Sequence, residues 1–243
     1  MKNVLDYIEV KKQEFARLPL FDYLRDTSLS PRQRLVFAPC ITPFTATIGE
    51  LNRTLFRHEA SDDPLQQAIN QHSYEDDHHW LWLMEDLEKL GLDRTMKFSD
   101  AVRFLWGEET FHVRQIGHAI EQCTYNADSK LKIVAIEVIE ATGNVFLSET
   151  AKVARELKAS TGWDYRYFGD YHLNVETGHT MTDEEGTELI ENIELSDEQR
   201  QEAYAIVDKV FAAFSAAIEE FHAYARTHSV ESVYYPQPAL LAS

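Results

Sequence analysis

Apolar residues recur along this chain at intervals of three and four, in blocks long enough for several helical turns. No stretch alternates in the way a half-buried strand does. Val4, Leu5, Ile8 and Phe15 share one side of a helix predicted over residues 2–17, which Pro19 stops. Residues 18–24 are an anchoring segment and residues 27–30 a turn. Ser30 before Pro31 starts a second helix carrying Leu35, Val36, Phe37, Ile41, Phe44 and Ile48. Pro39 and Pro43 predict a break near residues 40–43, after which the helix resumes to about residue 58. Ser61-Asp-Asp-Pro64 starts a third, over about residues 63–90, ended by Leu90-Gly91.

Ser99-Asp100 opens a helix to about residue 123. The next, over about residues 130–158, is apolar on nearly every side in its first half, the mark of a buried helix. Helices over about 165–180 and 197–227 follow, the latter behind a Ser196-x-x-Gln199 capping box. An acidic helix start lies at residues 182–185, and an extended tail runs from about residue 229. The prediction is one all-α domain, residues 1–243, of seven or eight helices.

Charge narrows the partners. The formal net charge of −18 is spread along the chain, which argues against nucleic acid and anionic membrane surfaces. No apolar run is long enough to span a bilayer, and the first residues lack a signal-peptide apolar core. Cys40 and Cys123 lie far apart, so a reducing cytoplasm is expected. Neither has a nearby base that would make it a nucleophile. Acidic chains with amphipathic helices often dimerise, although no feature here marks an interface.

The ten histidines need an explanation, and several stand at ligand spacings. His172, Glu176 and His179 are separated by four and three residues, which stacks them on one helical face. Imidazole with carboxylate suits iron, zinc or manganese, and such a stripe is costly to bury without a partner. Glu140, among Val138, Ile139 and Val145 on the preceding helix, is the first candidate to complete a site. For Glu140 to meet Glu176, either the loop at residues 159–165 must climb back or the helix must bend near Gly143. The segment His72-Ser-Tyr-Glu-Asp-Asp-His-His-Trp80 is the second source: His72, Glu75 and Asp76 each share a face with His79, while His78 points elsewhere. Glu109 and His112 are a third pair. With Glu75, Glu140 and Glu176-x-x-His179 they make a ferritin-like di-iron series, which stays open as an alternative. Trp80, Trp82, Phe104, Trp106, Tyr167, Phe168 and Tyr171 could line an apolar pocket, although aromatics at helical spacing are more often core.

The chain resembles the haem-oxygenase-like di-iron oxidases, relatives of the thiaminase-like and quinone-cofactor-biosynthesis all-α folds. The likeness rests on His172-x-x-x-Glu176-x-x-His179 behind an aromatic Tyr-Phe pair, on Glu140 placed 32 residues earlier, and on His79-Trp-Leu-Trp followed by Asp86-Leu-Glu-Lys-Leu-Gly91. Pro19-Leu-Phe-Asp-Tyr-Leu and Leu29-Ser-Pro add to it, so that it spans roughly residues 15–225. Two positions depart: the family usually has Asp where Glu176 stands, and many members have Glu where His72 stands.

The resemblance implies a helical bundle holding non-haem iron, with one ion, two ions or another metal all open. The ligands would come from His72, Glu75, Asp76, His79, Glu140, His172, Glu176 and His179. It also implies O2 activation to oxidise an amino acid, a fatty acid or a similar small molecule, with an electron donor as a possible partner. A metal-free binding or thiaminase-like protein of the same fold is the alternative.

Overall fold

The computed structural model describes residues 1–176 and 189–231. Among these residues there is no strand. The helices given whole by the described residues are α1 Lys2–Phe15, α2 Pro19–Arg25, α3 Pro31–Arg34, α4 Thr42–Leu51, α5 Pro64–Asp76, α6 Trp80–Lys89, α7 Phe98–Leu105, α8 Phe111–Thr124, α9 Ser129–Thr161, α10 Asp170–Glu176 and α11 Asp197–Thr227. Short 3-10 segments cover Ala38–Ile41 and Glu108–Thr110, and a π turn covers Asn52–Phe56. No described helix is long and apolar enough to cross a membrane.

The two long helices form where local signals agree. The Asp128 side chain accepts from the Leu131 amide at the start of α9, and Gly162, at φ 76°, ends it. Ser196 and Gln199 form the reciprocal capping box of α11. Helix α11 packs on α8 and α9, while α1, α2 and α10 lie against α9. The core between them contains Ile133, Val134 and Val138 of α9 and Val207, Val210 and Phe211 of α11. Phe37, from the turn after α3, stacks on Phe221 with ring centroids 5.6 Å apart. Burying such side chains contributes about 1.5–3 kcal/mol each.

Three expected helices are subdivided, which raises the count above the seven or eight predicted. The second breaks at the prolines, as their missing amides require. The segment 99–123 divides at Trp106–Gly107 into α7 and α8. There the Arg114 guanidinium donates to the carbonyls of Leu105, Gly107 and Thr110, and the Thr110 hydroxyl bonds to Phe104 and Leu105, so the exposed C-terminus of α7 is satisfied by side chains.

The third subdivision matters most. The segment expected as one helix over 63–90 turns at residues 77–79 and restarts as α6. Arg57 holds that turn from outside: it donates to the Ser73 hydroxyl, the Ser73 carbonyl and the Asp77 carboxylate, each at 2.9 Å. Helix α4 presses on the same place. A Cβ added at Gly49 would sit 2.7 Å from the Asp77 carbonyl oxygen.

Helix α9, in contrast, runs unbroken through Gly143. The climb needed to bring the next helix level with Glu140 is made by the connector 162–169, so α10 starts at Asp170 rather than at 165. The acidic segment 182–185 lies outside the described residues, as does all of the predicted tail beyond residue 231.

Replacing Gly49 with Ala should push α4 off the turn at residue 77 and destabilise the protein by about 1–3 kcal/mol. Urea denaturation measures this; an unchanged midpoint would show that the turn is not held by that contact.

Candidate metal centre

Helix α5 ends on a turn that carries two ligand-type residues. His72 and Asp76 are four apart on one face, and Glu140 reaches them from α9. His72 Nε2 lies 3.2 Å from Asp76 Oδ2 and 3.3 Å from Glu140 Oε1. One donor atom from each of the three falls within 4.8 Å of the others, the only such group of three or more among the described residues. Burial alone would lower the pKa of His72, but Asp76 and Glu140 outweigh it and raise the imidazole well above its ordinary value.

His79 enters because the helix turns. It stands just before α6, and its Nδ1 is 3.8 Å from Asp76 Oδ1. Its ring stacks on Trp82, with centroids 4.0 Å apart. His172 meets it from α10, its Nε2 lying 3.1 Å from His79 Nδ1. The other nitrogen of His172 is 2.9 Å from the Tyr167 carbonyl oxygen, which can only accept. Nδ1 therefore carries the proton and Nε2 of a neutral ring offers its lone pair toward His79, the arrangement a metal-binding histidine uses.

The Tyr167 carbonyl is itself fixed. Fully buried Asp86 of α6 accepts from three consecutive backbone amides, Arg166 and Tyr167 at 2.8 Å and Phe168 at 3.0 Å. Burial lifts the Asp86 carboxyl pKa, against the pull of these amides and of Lys89. At Gly169 an added Cβ would strike the Tyr165 carbonyl oxygen at 2.2 Å, so the chain closes tightly just before α10. Asp86 thus transmits the position of α6 to His172.

Three imidazoles and two carboxylates suit a divalent first-row ion such as iron, manganese or zinc. Separations of 3.1, 3.2 and 3.3 Å between neighbouring donor atoms are those of adjacent ligands with bonds of about 2.0–2.2 Å, so the residues fit a metal.

Five of the eight sequence candidates are thereby brought together: His72, Asp76, His79, Glu140 and His172. Glu75 lies outside the three-residue group and accepts from Gln71 Nε2 at 3.1 Å. Glu176 closes α10, its side chain and all of His179 lying outside the described residues. Glu109 and His112 sit elsewhere: Glu109 pairs with His228 at 3.3 Å, and Glu220 accepts from the backbone amides of His112 and Val113. Burial, with Glu109 and Glu220 adding, pushes the Cys40 thiol well above its ordinary pKa, away from nucleophilic use.

Of the aromatics expected to line a pocket, Tyr167 alone does so. Trp82 packs on the histidines, and Trp106 is 68% exposed. The cavity beside the cluster is walled instead by residues that read as plain core, and Asp76, His79, Glu140 and His172 form its polar end.

The sequence reading gave Asp86 no role beyond its place in the Asp86–Gly91 motif, and it missed Glu137. Glu137 lies three residues before Glu140 on α9, a Glu-x-x-Glu spacing in a buried helix that could have exposed it. Burial raises its carboxyl pKa to about 7, with His72 pulling the other way. A raised pKa favours the folded state below the unfolded value of 4.5, and that advantage is lost as pH rises toward about 7. Glu137→Gln should therefore leave the metal-free protein little changed near pH 4.5 and stabilise it by up to about 3 kcal/mol above pH 8, read from urea melts across pH.

Asp86→Asn places an amide donor against backbone donors. It should cost about 1–3 kcal/mol of stability and weaken ferrous-ion binding about 10–100-fold, read by denaturation and by metal titration. Lost stability with unchanged metal affinity would show an anchor that does not position His172. No family model matches the chain and no curated protein matches it.

Proposed function

We propose that the protein is a non-haem iron oxidase or oxygenase with a haem-oxygenase-like fold, activating O2 at a di-iron centre to oxidise a small organic substrate. The observation that carries this reading is a cluster of buried His72 with the partly buried Asp76 and Glu140, with the His79–His172 pair beside it, at the polar end of an apolar cavity. Glu176 and His179 join the set by their spacing to His172.

The metal would be held by Asp76, Glu140, His72, His79 and His172. When bound, ferrous iron supplies electrons to O2, giving an oxidant able to break a C–H or C–C bond or to oxygenate an amine nitrogen. The two carboxylates offset the positive charge, and the neutral imidazoles add no charge of their own. His72 must give up its shared proton to offer Nε2 as a ligand, so loading releases a proton and weakens as pH falls. The proton on His172 stays on Nδ1, held by the Tyr167 carbonyl, and keeps Nε2 aimed at the site. The apolar walls exclude water from the polar end, which strengthens the electrostatic interactions there.

Anaerobic titration with ferrous ion should load about two irons per chain, and admitting O2 should change the absorbance spectrum. Glu140→Ala and His172→Ala should abolish the change. His78→Ala should preserve it, because that side chain is half exposed and bonded to Asp77. An absence of metal binding by the reduced, anaerobic protein would overturn the reading.

A further inference from the structure

We propose that the cavity beside the cluster binds an uncharged hydrocarbon portion of the substrate, and that Gly143 sets how large that portion can be. The proposal rests on the iron-oxidase reading and names the class of molecule it acts on.

The cavity holds about 110 Å³. Cavities of this order accommodate a benzene-sized group, roughly six carbons. Its wall includes Phe44, Ile48, Ile139, Phe146, Phe214 and Phe221, drawn from α4, α9 and α11. Two threonines line it but spend their hydroxyls on their own helices. Thr45 donates to the Thr42 carbonyl, and Thr142 to those of Val138 and Ile139. Among the described residues no Lys or Arg lines the cavity, and the carboxylates that do are those of the cluster, Asp76 and Glu140.

A zwitterionic amino acid held along this wall, away from the polar end, would bury an ammonium and a carboxylate among apolar side chains. An alkyl or aryl group avoids that cost and gains about 25 cal/mol for each Å² it buries. The reacting end then points to Asp76, His79, Glu140 and His172, and the hydrocarbon lies toward α4 and α11.

Gly143 is an independent sign of a chamber kept open. It sits inside the longest helix, where Gly costs about 0.5–1 kcal/mol relative to Ala. Four other described glycines have a backbone reason: Gly91 and Gly162 have φ of 64° and 76°, and a Cβ at Gly49 or Gly169 would strike backbone. At Gly143 neither reason applies, because a Cβ there would meet no atom within 4 Å. Gly143 lines the cavity, so the open space above it is the room a side chain would remove.

The test uses the full chain, metal-free and ferrous-loaded, with toluene, hexanol and leucine as probes in thermal-shift and calorimetric titrations. Toluene and hexanol should bind and raise the melting temperature; leucine should not. Gly143→Leu should weaken toluene binding at least about tenfold, the loss of roughly one buried side chain's contacts, while iron content stays at the wild-type level. If that variant does not fold, Gly143→Ala supplies the measurement: it should melt higher, from helix propensity, and bind hexanol several-fold more weakly. Unchanged probe binding in the folded variant, or preferential binding of leucine, overturns the proposal. Iron loading without hydrocarbon binding defeats the cavity assignment alone. Hydrocarbon binding without iron defeats the oxidase reading and leaves the cavity standing.

Discussion

The buried ion cluster constrains everything around it. Two carboxylates, Asp76 and Glu140, face one another across His72 inside an apolar bundle. Like charges so placed repel unless a cation stands between them, and desolvation makes an uncompensated charge cost several kcal/mol. In the metal-free protein the His72 proton serves, which is why that imidazole holds it so far above its ordinary range. A divalent ion would fill the same place with greater charge. Glu137, one turn away on α9, adds a third acid to the neighbourhood, and burial raises its carboxyl pKa to about 7.

The surrounding structure aims these side chains rather than merely enclosing them. Arg57 and the bare backbone at Gly49 hold the turn that ends α5 after Asp76 and starts α6 after His79. Without that turn, His72 and His79 would share one straight helix and α10 would meet a different surface. Asp86 then carries the position of α6 to the connector 166–168, and the Tyr167 carbonyl carries it to His172. The bonds from Asp86 to the Tyr167 amide and from His172 to the Tyr167 carbonyl are buried, so displacing either leaves a polar group stranded.

Much of this was legible in the sequence, for a physical reason. Helices α9 and α11 were read to within about three residues because the apolar period is clear in both and the Ser196 capping box marks the start of α11. His72, Asp76, His79 and His172 were read from spacing, since three- and four-residue intervals determine a shared face wherever the helix persists, and Glu140 from its apolar neighbours. What failed was non-local. The turn at residues 77–79 depends on Arg57, twenty residues earlier in the chain, and on a glycine of another helix. Asp86 looked like any polar residue on a helix surface, and its role exists only once the connector folds over it. The expected aromatic pocket misassigned its walls because a cavity belongs to the space between α4, α9 and α11, and no single helix announces it.

Three features of this region cost stability: a glycine inside α9, a buried Glu137, and the desolvated charges of Asp76 and Glu140. A chain selected for stability alone could place Ala, Gln and Leu at such positions and fold more tightly. Costs of this kind beside the His72 cluster are the pattern expected where chemistry rather than packing determines the residue. On the proposed reading, Gly143 and the cluster serve one requirement: room for a molecule, and charge where it would react.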